Sequence, residues 1–343
     1  MPLIEVPALL NRILAGGALA LEEAQALMER IMAGTLTPAQ IAALAIALRA
    51  KGETEDEIIG FVQAMRGGAV PLPHTFSDVV DTCGTGGDYL QTLNVSTAAA
   101  LVAAGAGVRV AKHGNRAASS KSGSADVLEA LGVTLNAPPQ IEERALSEAG
   151  IAFLFARSHH PALTHAAAVR KDIGIRTVFN LLGPLTNPAG VRIQLLGVFP
   201  GIETRKVAGV LQRLGALRAM VVRGLDGMDE ITLTAPTEIS ELNGADIRTF
   251  HVTPEEFGLA PCTLDDLAGG DAAANAAAIR AILAGARGPK TDIVLLNAAA
   301  VIYLAGRAES HQAGIAVARQ AIASGAAERT LKLLVEITSA ARG

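Results

Sequence analysis

Two adjacent carboxylates, Asp229 and Glu230, stand a few residues beyond a β-branched run in "VVRGLDGMDEIT". Such a pair on one turn suits Mg²⁺, a hard cation that takes one or two carboxylates, keeps water and completes its shell with phosphate oxygens. A solvated acidic turn is the plain alternative, and Asp226 competes for the same role. Two further stretches supply what a phosphate would need. "DTCGTGGDYLQTLNVST" offers Gly84, Gly86 and Gly87, whose bare main chain a ligand can approach, and then Asn94, Ser96 and Thr97 just ahead of an alanine-rich run. The open N–H groups of a helix start can hold a phosphate, although Ser96 as an ordinary N-cap is the simpler reading. "KHGNRAASSKSGSADVLEALG" sets Lys112, Arg116 and Lys121 among Ser119, Ser120, Ser122 and Ser124. Basic groups attract an anion at range while hydroxyls and amides give direction, and charge-assisted bonds are roughly twice as strong as neutral ones.

Two familiar nucleotide loops are excluded on residue grounds. A dinucleotide fingerprint would need glycine where Tyr89 stands, and a Walker loop would need Lys where Asp88 follows Gly87. His113 reads as a packed or hydrogen-bonding residue rather than a proton shuttle. Cys83 has no base near it in sequence and reads as a filler. Arg170, in "THAAAVRKDIGIRTVFNLLGPLTNP", could hold a planar carboxylate with its guanidinium fork, but spacing alone favours a pair with Asp172 or a surface helix position. Gly183, Pro184 and Pro188 mark a rigid turn after "FNLL".

The elements that must position these groups change character along the chain. Residues 1 to about 66 read as helices. Thr37 is the expected N-cap of "TPAQIAALAIALRAKG", with Pro38 at the first helical position, Gln40 closing a capping box and Gly52 as the stop. Thr54 and Glu57 repeat the pattern, with Gly67 as the expected end. "GGAVPLP" reads as a linker. Beyond it, "SDVVDT", "VRVAKHG", "IAFLFA", "IQLLGVF", "AMVVRG" and "TDIVLLNAA" alternate with alanine-rich helical runs, which predicts an α/β domain with a largely parallel sheet. Ligands of such sheets sit beyond the carboxyl ends of the strands.

The chain has 343 residues, 50% of them hydrophobic, enough for a sizeable core and about two domains. With 29 basic against 33 acidic side chains the net charge is -4, so no broad positive field exists to draw nucleic acid or an anionic membrane. The longest weakly polar run, Ala98 to Val108, is far short of the ~20 apolar residues of a membrane span. The N-terminus lacks a signal-peptide pattern, and the two distant cysteines, Cys83 and Cys262, form no metal spacing, so a cytoplasmic setting is expected.

Taken in order and approximate spacing, "GTGGD", "NVSTAAA", "KHGNR" through "SSKSGSADVLEALG", "VRKDIGIRTVFNLLGPLTNP", "GMDEI" and "DIVLLNAA" resemble the anthranilate phosphoribosyltransferase family over essentially the whole chain. The long match from Lys112 to Gly132 is the most specific. The resemblance implies an enzyme that joins 5-phosphoribosyl 1-diphosphate (PRPP) to anthranilate, releasing diphosphate, in the second step of tryptophan biosynthesis. It implies a small N-terminal all-helical domain, residues 1–70, that mediates homodimerisation and is joined by a helical section around 165–185. It implies a larger α/β domain, residues 71–343, of the nucleoside phosphorylase/phosphoribosyltransferase type, with a central mostly parallel sheet flanked by helices.

Carried residue by residue, the resemblance places PRPP against Gly84, Gly87, Asp88, Thr92, Asn94, Val95, Ser96 and Thr97, and against Lys112, His113, Gly114, Asn115, Arg116, Ala117, Ala118, Ser119, Ser120 and Ser124. Ser96, Asp229 and Glu230 would hold Mg²⁺. Asn115 and Arg170 would orient anthranilate, with Gly84, His113 and Gly183 lining its pocket, and no residue acts as a strong acid or base. The chain departs from the family at Tyr89, where glycine is common, and at Leu93, often phenylalanine, which bears on the shape of the glycine loop. The resemblance does not decide whether the amidotransferase of anthranilate synthase is a partner.

Two other functions fit parts of the pattern. A pyrimidine nucleoside phosphorylase shares the architecture but not the Lys112–Gly132 loop, and it has no need of Asp229 and Glu230; thymidine with phosphate separates the two. A non-catalytic PRPP sensor would bind the sugar diphosphate without releasing diphosphate when anthranilate is added.

Overall fold

The computed structural model describes residues 5–86, 90–117 and 121–340. The chain divides into two compact units, one running to Val70 and taking in Arg157–Thr186, the other comprising Pro71–Ala156 and the chain from Asn187 onward.

The first unit is helical. It holds α1 (Val6–Leu14), α2 (Leu21–Met32), α3 (Pro38–Lys51) and α4 (Glu55–Gly67), and the helix Thr164–Ile173 packs against α2 and α3. The local signals work as the sequence indicates. Thr37 accepts from the Gln40 N–H at 3.2 Å while the Gln40 side chain accepts from the Thr37 N–H at 2.9 Å. Thr54 and Glu57 make the same reciprocal pair, at 3.2 and 2.7 Å. One boundary differs: α4 continues through Gly67 and its cap is Gly68. Nothing in Gly67's surroundings asks for a left-handed turn, and the helix ends one residue later.

The second unit is built on a seven-stranded sheet, ordered β3-β2-β1-β4-β5-β6-β7. Its strands are β1 (Val79–Gly84), β2 (Arg109–Gly114), β3 (Ile151–Phe155), β4 (Ile193–Gly197), β5 (Arg218–Gly224), β6 (Thr237–Asn243) and β7 (Asp246–Val252). β1 to β5 run parallel, whereas β6 and β7 pair antiparallel as a hairpin at one edge. The hairpin is absent from the sequence reading because "TEISELN" and "DIRTFHV" are rich in charged and hydroxyl side chains.

"TDIVLLNAA", read as a strand, lies instead within a 16-residue helix, Pro289–Leu304. Pro289 occupies the first turn, where its missing N–H costs nothing. The helix is buried on nearly all sides, so no polar face survives to reveal its period. The same holds for α5 (Val95–Gly105), where Ala98 through Ala103 are fully buried beneath the C-terminal helices.

The strand order explains where a ligand belongs. From β1 the chain moves outward through β2 and β3 on one side, and through β4 and β5 on the other. The loops leaving β1 and β4 therefore diverge, opening a crevice at the carboxyl ends of these two strands. Gly84 and Gly197 are paired neighbours there.

Candidate active site

Main-chain contact between three loops builds the site at that crevice. Gly84 and Gly197 lie directly beneath Asp229: a Cβ on Gly84 would collide with the Asp229 carboxylate, and one on Gly197 with the Asp229 carbonyl. Only glycine at both strand ends lets the turn after β5 fold over β1 and β4. Gly86, at φ +64°, then turns its N–H back onto Asp229 Oδ2 at 2.7 Å. Next to it, Glu230 Oε1 accepts the Ser96 N–H at 3.0 Å. Thus both carboxylates touch backbone N–H groups of the first loop and of the start of α5. Asp226, the competing carboxylate, is spent on its own turn: it accepts the Met228 N–H at 2.9 Å and the Thr232 hydroxyl at 2.6 Å, and also bonds Thr234.

Ser96 is not the N-cap. α5 begins at Val95, so Asn94 holds the cap position, and its side chain makes no cap bond. Instead Asn94 donates to the Ser122 carbonyl at 3.0 Å, linking the first loop to the second, and accepts from Asn275 at 2.9 Å. Thr92 bridges to Ala268. Thr97 is buried, and its hydroxyl has no hydrogen-bond partner among the described residues.

The second loop starts later than its sequence suggests, because Lys112, His113 and Gly114 are the last residues of β2. Lys112 is buried; its ammonium donates to the Thr82 carbonyl at 2.6 Å and to Ser96 Oγ at 3.2 Å. The fully buried Asp81 accepts the His113 N–H at 3.2 Å. Burial pushes the Asp81 carboxyl up, opposed by the Lys112 charge. Cys83 is buried beside Asp81, and both burial and that carboxylate drive its thiol well above the ordinary range, so it is no nucleophile.

Arg116 is not a free cation for an anion: it pairs with Asp126 at 2.9 Å and Glu129 at 2.8 Å, which raise its pKa further. Asp126 also accepts the Ala117 and Gly123 N–H groups, both at 2.9 Å, and so braces the loop. The Asn115 carbonyl accepts from the Ser124 hydroxyl at 3.3 Å. Gly87, Asp88 and Tyr89, and Ala118, Ser119 and Ser120, lie outside the described residues.

Arg170 and Gly183 belong to the helical unit. Among the described residues no ion pair joins Arg170 to Asp172, contrary to the pairing that spacing favours. The Arg170 guanidinium instead lies 5.7 Å from the Phe179 ring centroid, and burial lowers its pKa. Gly183 opens a 3₁₀ turn, Gly183–Leu185.

Sequence reasoning passed over Asp81 and three buried amides, Gln194, Asn275 and Asn297. Gln194 donates to Asp81 at 3.4 Å. Asn275 fixes the Asn94 side chain, and Asn297 grips the main chain of Ile231. The signal was present: a lone amide or carboxylate inside an apolar run must find a partner when buried.

The donor set fits Mg²⁺. It consists of hard oxygens only, from Asp229, Glu230 and Ser96, and among the described residues no group of three or more His, Cys, Asp or Glu gathers into a metal cage. A cation there must complete its shell with water and ligand oxygens, which is the habit of Mg²⁺.

Comparison with known proteins places the chain among relatives. Residues 7–69 match a glycosyl transferase family helical bundle domain, and residues 77–328 match the α/β domain of the same family. The anthranilate phosphoribosyltransferase of Moorella thermoacetica is 54% identical, over 95% of this chain and 96% of its own. That of Rubrobacter xylanophilus is 51% identical over 96% of each. The crystal structure of the Thermus thermophilus anthranilate phosphoribosyltransferase superposes with a TM-score of 0.91 at 46% identity, covering 96% of this chain and 99% of that one. The Saccharomyces cerevisiae enzyme in complex with PRPP and Mg gives 0.89 at 26% identity over 98% of each.

Proposed function

This chain belongs to the anthranilate phosphoribosyltransferase family, and we propose that its α/β unit grips PRPP and Mg²⁺ through Ser96, Lys112, Asp229 and Glu230. The reaction moves the 5-phosphoribosyl group of PRPP to anthranilate, giving N-(5-phosphoribosyl)anthranilate and diphosphate, in tryptophan biosynthesis. The observation that carries the assignment of residues is the pair of bonds from Gly86 and Ser96 to Asp229 and Glu230, which hold the segment from β1 into α5 against the turn after β5 at the sheet's switch point.

Displacement at C1 of the sugar leaves negative charge on departing diphosphate. Bound Mg²⁺ would neutralise part of that charge from Asp229, Glu230 and Ser96. The Thr97 and Lys112 side chains supply fixed donors, which stabilise the same charge without reorganising, while Asn94, held by Ser122 and Asn275, keeps the first loop in place beside them. Of the remaining assigned PRPP contacts, those among the described residues, Gly84, Thr92, Val95, His113 to Ala117 and Ser124, define the shape around them. No strong base is needed, because the aromatic amine of anthranilate keeps a free lone pair near neutral pH. Aligning it removes the entropy of bringing the reactants together. Asn115 and Arg170 are assigned that alignment, Arg170 through the anthranilate carboxylate; a half-buried guanidinium that makes no ion pair among the described residues supports the choice.

A homodimer through the helical unit belongs to the same reading: Leu14, Ile46 and Ile175 are exposed apolar side chains there, and sedimentation at micromolar concentration tests it. Two free cysteines agree with a reducing cytoplasm.

Loss of anthranilate fluorescence on adding PRPP and Mg²⁺ measures turnover, and a chain with no tryptophan keeps the signal clean. Asp229→Asn combined with Glu230→Gln should abolish turnover at limiting magnesium; intact turnover there would remove the metal assignment.

A further inference from the structure

We propose that Asn297, remote in sequence from every loop of the site, is a positioning residue that sets the Asp229–Glu230 turn for its metal. Asn297 is fully buried in the helix Pro289–Leu304. Its side-chain oxygen accepts the Ile231 N–H at 3.0 Å, and its amide nitrogen donates to the Ile231 carbonyl at 2.9 Å and to the Ile293 carbonyl at 2.9 Å. One side chain therefore seizes both polar groups of a single residue, and that residue follows Glu230 directly.

The geometry has a clear consequence. Ile231 is itself buried, so its peptide groups cannot turn to water if the amide is lost. On the other side of the turn, Asp226 accepts the Met228 N–H at 2.9 Å and is bound in turn by Thr232. The two carboxylates thus sit on a short arc pinned immediately before and immediately after. Glu230 can accept the Ser96 N–H only while that arc keeps its place. Groups that work on a metal and a charged leaving group need to be held within about 0.5 Å, which a polar clamp on the adjoining peptide provides. Such outer partners typically matter about 10- to 100-fold for metal affinity or activity.

The inference rests on Asp229 and Glu230 holding Mg²⁺, so the test carries its own control. Magnesium binding by calorimetry at saturating PRPP without anthranilate, and steady-state rates against magnesium concentration, are measured for the unaltered enzyme, Asn297→Asp, Glu230→Gln and the double variant. Asn297→Asp keeps the shape and the acceptor but loses at least one of the two donated bonds, since a buried carboxyl can donate only through a single O–H. It should raise the half-saturating magnesium about tenfold, recover most of its rate at excess magnesium and leave the anthranilate KM within about twofold. In the Glu230→Gln background the same change should add little. Should Asn297→Asp fail to fold, Asn297→Ser, small and polar, takes its place in the same comparison. If Glu230→Gln shifts the magnesium requirement but folded Asn297 variants do not, the positioning role is wrong. If Glu230→Gln leaves magnesium dependence untouched, the metal assignment itself fails instead.

Discussion

The Lys112 ammonium lies 3.2 Å from Ser96 Oγ and 2.6 Å from the Thr82 carbonyl, so this cation near the end of β2 is anchored on β1 and on the start of α5. It arrives there because β1 and β2 are parallel neighbours, which places the end of one strand beside the end of the other. The lysine thereby orients the one hydroxyl assigned to the metal.

Replacing it should be expensive. Lys112→Met keeps the apolar stem and removes both donated bonds, each of a kind that contributes about 1.5–3 kcal/mol. kcat/KM for PRPP should fall at least about 100-fold, with the anthranilate KM little changed. A loss confined to anthranilate would show that Lys112 serves a different substrate.

Arg170→Ala should act on the other reactant. Losing a two-pronged charged contact should raise the anthranilate KM on the order of 10- to 100-fold. The PRPP KM should hold, and a selective loss of PRPP affinity would count against the assignment. Arg170→Lys should restore little, because an ammonium cannot make the parallel pair.

The helical unit has its own polar keystone. Glu57 is fully buried and accepts the Leu19 N–H at 2.9 Å, the Thr54 N–H at 2.7 Å and the Lys51 ammonium at 2.9 Å. Glu57→Ala strands a buried cation and two N–H groups, which typically costs about 3–5 kcal/mol. Urea unfolding monitored by circular dichroism should show the loss, and an unchanged midpoint would contradict it.

Acid should weaken the fold through two buried histidines. Burial lowers His160 and His311 from 6.5 to about 4, against ring hydrogen bonds to the Thr186 carbonyl at 3.0 Å and the Leu296 carbonyl at 2.9 Å. Above about pH 6.5 both states leave these rings neutral and their contribution is complete. As pH falls from 6.5 toward 4 the unfolded chain takes up protons that the native rings refuse, so stability drops, by up to about 3 kcal/mol for each ring. Below about 4 the native rings protonate too and the slope ends. Melting curves across this window should show the decline, and His311→Gln should flatten it.

Local chemistry made much of this legible in advance. Thr37, Gln40, Thr54 and Glu57 announce their helices because a cap is settled by residues three apart. The strands β1 to β5 show as β-branched runs, since strands buried on both faces need apolar side chains throughout. The Pro289–Leu304 helix and the β6–β7 hairpin escaped for opposite reasons: one is apolar on every side, and the other is polar along an edge.

The site divided in the same way. Glycines at strand ends, serines beside lysines and paired carboxylates were written in the sequence, and with them the kind of ligand and the family. Partnership was not. Arg116 went to Asp126 and Glu129, Asp226 went to its own turn, and Asn94 went to Ser122 and Asn275, although each could have faced an anion or a metal. Residue type fixes what a group can bond. Which partner it takes is decided by strand order and helix docking, because only these bring Gly197, Asp229 and Asn297 to one end of the sheet and leave a buried polar atom no choice but its neighbour.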